Sequence, residues 1–162
     1  MMIVRRAMDT DAPAMCEIYN HFVANTHISF EEEPLGNDEM ETRIAMVTAS
    51  LPWYVCETDG RLAGYAYASP WKSRSAYRRS VESTVYVAPN AAGHGVGSTL
   101  YGALISDLRQ LDVHTVIGGI ALPNADSVAL HEKMGFRKVA EFAEVGWKFE
   151  RYIAVGYWQL LL

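Results

Sequence analysis

Residues 90–108 read Asn-Ala-Ala-Gly-His-Gly-Val-Gly-Ser-Thr-Leu-Tyr-Gly-Ala-Leu-Ile-Ser-Asp-Leu. Gly93, Gly95 and Gly97 crowd the front of this stretch, and an amphipathic run starts directly behind them. Glycine costs backbone entropy, so it collects where a side chain would obstruct or where φ must be positive. A turn whose amides converge on an anion is such a place, and a helix N-terminus behind it adds partial positive charge. The stretch is no P-loop, because no Lys-Ser or Lys-Thr follows the glycines. It matches a dinucleotide fingerprint weakly, since that motif opens an early βαβ unit and this turn lies past mid-chain. Two local readings stand side by side: a phosphate cradle, or a glycine-rich connection that lets the helix pack closely.

Working outward, Ser80 to Pro89 alternates and is rich in β-branched residues, so a strand leads into the turn and Pro89 ends it. His114 to Leu122 is the next strand, Asn124 to Met134 a short helix with Gly135 as its C-cap, and 136–147 and 153–161 two closing strands. Upstream, Met2 to Arg6 is a first strand. Asp9 or Asp11 caps a helix with Pro13 in its first turn and an apolar stripe of Met15, Ile18, Tyr19, Phe22 and Val23. An acidic loop, Glu31 to Pro34, leads to a second helix over 38–48. Trp53 to Ser69 is a hairpin that turns at Asp59-Gly60. The order predicts one α/β domain over 1–162, a mixed sheet covered by helices.

The totals narrow the function. Half of the 162 residues are apolar, which excludes disorder. A net charge of −5 without a basic block argues against nucleic-acid binding. No apolar run is long enough to span a bilayer, and the N-terminus reaches acidic residues too early for a signal peptide. Cys16 and Cys56 have no metal-ligand spacing and read as buried thiols in a reducing compartment. A cytoplasmic protein without metal or membrane partner is expected.

In element order the chain resembles the GCN5-related N-acetyltransferases (GNAT), whose fold is a mixed, mostly antiparallel sheet flanked by helices. The turn resembles their acetyl-CoA motif, Gln/Arg-x-x-Gly-x-Gly/Ala, with Ala92, Gly95 and Gly97 at the matching positions. Four further segments are similar to the phosphinothricin and methionine sulfone acetyltransferases: 70–77 (PWKSRSAY), 81–89 (VESTVYVAP), 120–136 (IALPNADSVALHEKMGF) and 155–160 (VGYWQL). The resemblance covers essentially the whole chain. It implies acetyl transfer from acetyl-CoA to the α-amino group of a small amino-acid analogue, detoxification of the herbicide type, and a homodimer. The dense apolar stretch of Val145, Trp147, Phe149, Tyr152, Val155, Tyr157 and Trp158 fits core plus dimer surface.

The resemblance also assigns residues. It implies that Glu82 is the base, where strand alternation alone reads an outward glutamate sharing a face with Thr84 and Tyr86. The amide of Val85 is implied to polarise the acetyl carbonyl. The backbone of Val85, Tyr86 and Val87 would hold the pantetheine arm, together with Asn124 and Ser127. Gly93, His94, Gly95, Val96, Gly97 and Ser98 would cradle the pyrophosphate. His131 stands where many relatives carry a tyrosine acid for the departing thiolate, and it reads equally as that acid or as a polar residue without a proton role. Ala92 departs from the motif: it keeps the amide and loses the polar head.

An anionic acceptor calls for Arg or Lys. Residues 72–79 supply Lys72, Arg74, Arg78 and Arg79 in an otherwise acidic chain. The resemblance points to Lys72, Arg74 and Tyr77 as lining the site, with Trp71 and Phe30 as apolar walls and Ser83 and Thr84 nearby. Phosphinothricin is the reference acceptor, with methionine sulfone, methionine sulfoximine and arsinothricin as alternatives. A CoA-binding module without turnover and a peptide or protein N-acetyltransferase are the competing classes.

Overall fold

The structure, a computed structural model, describes all residues from Met1 to Leu162. In chain order the elements are β1 (Met2–Arg6), α1 (Ala12–Asn25), α2 (Asn37–Thr48), β2 (Trp53–Thr58), β3 (Arg61–Pro70), β4 (Ser80–Val87), α3 (Val96–Leu108), β5 (Thr115–Ala121), α4 (Ala125–Lys133), β6 (Arg137–Lys148) and β7 (Arg151–Leu161). The strands form one sheet in the order β1-β2-β3-β4-β5-β7-β6. Every pairing is antiparallel except β4 with β5. The sequence reading placed every helix and strand in the observed order. Asp11 is the N-cap residue of α1, but its carboxylate bonds no amide of that helix: it accepts the Met8 amide at 2.8 Å and both Arg5 guanidinium NH groups at 2.8 and 2.7 Å.

Each sheet face has its own core, as the period of two along a strand requires. On one face α3 buries Leu100, Leu104 and Leu108 with Val81, Val116, Phe136 and Trp158. On the other, α1 and α2 bury Met15, Val23, Met40 and Ile44 against Trp53, Val55 and Tyr65. In β4, Val81 belongs to the first core and Ser83 bonds to Tyr101 of α3, whereas Tyr86 stacks on Tyr19 of α1.

The position of the site follows from one irregularity in the sheet. β4 and β5 pair over only three positions, ending at Glu82↔Ile117. Beyond that point β5 continues to pair with β7 through Gly118 to Ala121, while β4 continues only with β3. The two parallel strands therefore splay, and the backbone of β4 past Glu82 borders an opening in the sheet. Residues from both faces reach this opening.

Candidate active site

The glycine turn forms one end of a groove of about 560 Å³ that runs from β4 to α4. Gly93 and Gly95 have φ of +79° and +84°, a region that side chains avoid. Gly97 serves a different purpose: a Cβ there would lie 2.9 Å from Leu130 Cδ2, so its absence lets α3 approach α4. Both local readings of the glycines are thus realised in one turn. Gly93, Gly95, Val96, Gly97 and Ser98 line the groove. The first amides of α3 have no partner within their helix, and the residues that carry them line this groove. Ala92 lines it as well. His94, between the two left-handed glycines, is exposed and is not among the residues that line the groove. Lys133, which the sequence reading missed, does line the groove and bonds Ser98 Oγ through Nζ at 3.1 Å. Only the packing of α4 on α3 brings it there.

The splay holds a second, smaller cavity of about 150 Å³. Glu82, Ser83, Thr84, Tyr101, Gly119 and His131 line it. Ile28, Val85, Tyr86, Asn124 and Ser127 line both spaces, so the groove opens into the cavity past these five residues. Asn124 also caps α4 by accepting the Ser127 amide at 3.2 Å, so its cap and pocket positions coincide. Burial raises the Glu82 carboxyl above its ordinary pKa, and the Lys72 ammonium opposes the shift. The missing side chain of Gly119 leaves open space beside this carboxylate: a Cβ would stand 3.5 Å from Oε1 and 3.2 Å from the Tyr157 ring.

His131 is 2 % exposed, and both of its ring nitrogens are engaged. Nδ1 lies 2.7 Å from the Ser127 carbonyl and Nε2 lies 2.9 Å from the Tyr101 hydroxyl. A carbonyl can only accept, so Nδ1 carries the proton. Burial lowers the imidazole pKa, and the bond to Ser127 opposes that shift. No N–H of this ring is free to face the cavity, and a direct acid aimed at a departing thiolate does not fit this geometry.

The acceptor-side residues divide. Lys72 acts on Glu82 and sits 4.9 Å from the Trp71 ring centroid. Trp71 meets Tyr157 edge-on at 5.8 Å. Phe30 packs on the backbone of β6, where a Cβ on Gly146 would overlap its ring. Arg74 and Tyr77 are exposed on the 72–79 loop, and like Phe30, Trp71 and Lys72 they are not among the residues that line the two cavities. Arg79 is paired with Asp112 at 2.9 Å. The loop leaves the sheet between β3 and β4 and is tied back at Arg79, whose carbonyl accepts the His114 and Thr115 amides, whereas Arg74 is held only by a local turn.

The segment 26–31 straps the splay from the α1 side. The buried Lys148 ammonium donates to the carbonyls of Val23 and Ser29, each at 2.7 Å. His27 Nε2 lies 3.0 Å from the Pro123 carbonyl, beside Asn124. Glu31 accepts two Arg43 NH groups from α2. Ile28 is thereby held at the passage between the two cavities.

With this geometry in view, a family model described as an acetyltransferase (GNAT) domain matches residues 4–155. The chain belongs to the GNAT acetyltransferases. It is 39 % identical over 160 residues to a phosphinothricin N-acetyltransferase of Streptomyces coelicolor, covering 96 % of this chain and 94 % of that one. It is 35 % identical to an L-methionine sulfoximine/L-methionine sulfone acetyltransferase of Salmonella typhimurium, covering 99 % and 95 %. It superposes with a TM-score of 0.96 on a phosphinothricin acetyltransferase of Sinorhizobium meliloti in complex with acetyl-CoA, at 32 % identity and 99 % and 88 % coverage. This GNAT chain is an acetyl-CoA-dependent N-acetyltransferase. Its glycine turn fits the cosubstrate: two left-handed glycines expose amides and Lys133 adds a cation. No helix is long and apolar enough to cross a membrane.

Proposed function

We propose that the protein acetylates the α-amino group of a small anionic amino-acid analogue of the phosphinothricin and methionine sulfoximine class, with Glu82 as the base. The observation that carries this reading is a half-buried carboxylate of raised pKa, in a cavity continuous with the glycine-turn groove. A carboxylate whose pKa moves towards neutrality is the better acceptor for an ammonium proton. The unpaired backbone of β4 past Glu82 supplies the Val85 amide for the acetyl carbonyl, a donor fixed before reaction. The groove holds the cosubstrate's phosphates on the amides of 95–98 and its arm along Val85 to Val87 and Asn124. Acetyl-CoA, when bound, supplies the activated thioester.

On the acceptor side, Lys72 provides charge beside Glu82, and Trp71, Tyr157 and Phe30 provide walls. Arg74 serves from the exposed loop. A volume of about 150 Å³ suits a free amino acid and disfavours a polypeptide. We read the chain as one domain working as a homodimer. The support is the apolar surface of the last hairpin, where Phe142, Val145, Trp147, Phe149 and Tyr152 are all more than half exposed. The two free, buried cysteines suit a cytoplasmic setting, and removal of toxic analogues, herbicides among them, suits the activity.

A thiol-release assay with acetyl-CoA tests the reading. The panel holds phosphinothricin, methionine sulfoximine, methionine sulfone, arsinothricin, common amino acids and short peptides. Turnover confined to the free analogues is expected. Turnover on peptides alone, or CoA binding without turnover on any acceptor, would overturn it.

A further inference from the structure

The proton on Nδ1 of His131 decides the direction of a longer chain of hydrogen bonds. Nδ1–H is committed to the Ser127 carbonyl, so Nε2 is a lone-pair acceptor. The only hydroxyl on it is that of Tyr101, at 2.9 Å. A phenol has one proton. In this structure the Tyr101 hydroxyl donates to Ser83 Oγ, 3.2 Å away; turned onto Nε2, the same proton leaves the Tyr101 oxygen free to accept the Ser83 hydroxyl in return. Ser83 and Tyr101 both line the small cavity beside Glu82. With both hydroxyls so turned, the donors run from the cavity through Ser83 and Tyr101 to His131. The splay makes this possible: Glu82 reaches the cavity from one sheet face and Ser83 and Tyr101 from the other.

Tyr101 is fully buried on α3, and its ring lies edge-on to His131 at 5.2 Å and stacked on Phe136 at 5.9 Å. Gly118 presses on the same imidazole, where a Cβ would stand 2.6 Å from Nε2. The imidazole is thus fixed in plane, tautomer and direction. In the sequence Tyr101 is one more apolar position of an amphipathic helix, and the proton chemistry above uses only Glu82.

We propose that Tyr101 is a positioning residue that makes His131 the terminal proton acceptor of a Ser83–Tyr101–His131 relay. The inference rests on the acetyltransferase reading of this site. An ammonium that becomes an amide N–H loses two protons. Glu82 takes the first, before the nitrogen's lone pair attacks the acetyl carbonyl. As the N–C bond forms and the C–S bond breaks, the electron pair of the latter stays on sulfur. The second nitrogen proton passes to Ser83 Oγ, the serine proton to Tyr101, and the tyrosine proton to Nε2. The same chain run backwards gives that proton to the thiolate and restores Ser83, Tyr101 and His131, while Glu82 releases the first proton to solvent as the products leave. No other reactant is required, and His131 serves the thiolate without facing it.

The tests use the intact protein with acetyl-CoA and the best acceptor of the panel. In ¹⁵N-labelled protein, two-bond ring correlations read the tautomer of His131, assigned by its loss in His131→Gln. The Nδ1–H tautomer is expected. An Nε2–H tautomer would overturn the proposal whatever the activity. Tyr101→Phe keeps the ring stack and removes the hydroxyl. Its kcat should fall by roughly 10-fold or more, the lower range for one proton-transfer group. KM for acetyl-CoA should stay unchanged, and the solvent deuterium isotope effect on kcat should change. Ser83→Ala cuts the relay at its cavity end and should lower kcat in the same way, without touching the ring cluster. A simple packing defect would lower the melting temperature and leave the isotope effect alone, which contradicts the proposal. If His131→Gln is impaired while Tyr101→Phe and Ser83→Ala are not, the relay fails and the acetyltransferase reading survives. If no acceptor of the panel is turned over even by wild type, the reading itself fails.

Discussion

Replacing Lys148 by methionine tests how the strap over the site is held. The lysine is 2 % exposed, and its ammonium serves two carbonyls that have no other role in the secondary structure. Val23 is in the last turn of α1, where carbonyls lack helical partners, and Ser29 is in the strap. Methionine fills the volume of the stem and donates nothing. Each carbonyl left buried and unpaired costs about 1–3 kcal/mol. Relief of the buried charge offsets part of that sum. A net loss of roughly 2–4 kcal/mol follows, or a drop in Tm of roughly 5–15 °C for a domain of this size. Differential scanning calorimetry reads the loss, with Lys138→Met as control, since Lys138 is exposed, with an ion pair to Glu141 and its ammonium 5.5 Å from the Trp158 ring centroid.

The same ammonium gives a pH signature. Burial lowers its pKa from 10.5, so between the folded value and 10.5 the unfolded chain holds more protons. Wild-type stability should therefore gain from this group as pH rises through that window, and Lys148→Met should lack the gain. Because Ile28 stands at the passage between the cavities, KM should rise for both substrates. An unchanged Tm together with unchanged KM values would refute the strap's dependence on Lys148.

Three other outcomes are expected. Ala92→Arg should tighten acetyl-CoA binding, by less than the 1.5–3 kcal/mol or so of a buried charge-assisted bond because residue 92 is exposed, with calorimetric titration as the check. Lys133→Ala should weaken the same binding and leave the acceptor KM alone, since Lys133 lines the groove and not the small cavity. Arg74→Ala should raise the acceptor KM more than Arg79→Ala, and the difference should survive high salt. An equal fall in kcat/KM that salt erases would make Arg74 a steering residue only.

The order of elements was legible because each announces itself locally: the Asp59-Gly60 turn, the alternation before Pro89, and the Asn124 and Gly135 ends of α4. Positive φ values at Asp59, Gly60 and Gly135 bear those signals out. Glu82, Val85, Asn124, Ser127 and the glycines converge because they lie close to the splay, in strand ends and helix starts that local patterns place well. Lys133, Tyr101, Tyr157 and Lys148 reach the site only through packing between distant elements. In sequence they are a helix cation, a core tyrosine, one aromatic among many and a strand lysine. His131 was found by its position, but its tautomer depends on a carbonyl of its own helix and on a hydroxyl from another. The 72–79 loop is the opposite case: its charges cluster in sequence, and packing puts the Lys72 charge near Glu82 while leaving Arg74 exposed.

The measurement that tests the central claim most directly is the pH dependence of kcat/KM for wild type and Glu82→Gln with acetyl-CoA and phosphinothricin. The carboxyl's pKa is raised by burial above its ordinary 4.5, so wild-type activity should fall on an acidic limb lying above that value. Glutamine keeps the shape and cannot take a proton, so kcat should fall by roughly 10²-fold or more and the limb should vanish, with acetyl-CoA affinity intact. A variant with wild-type turnover and the same acidic limb would contradict the account.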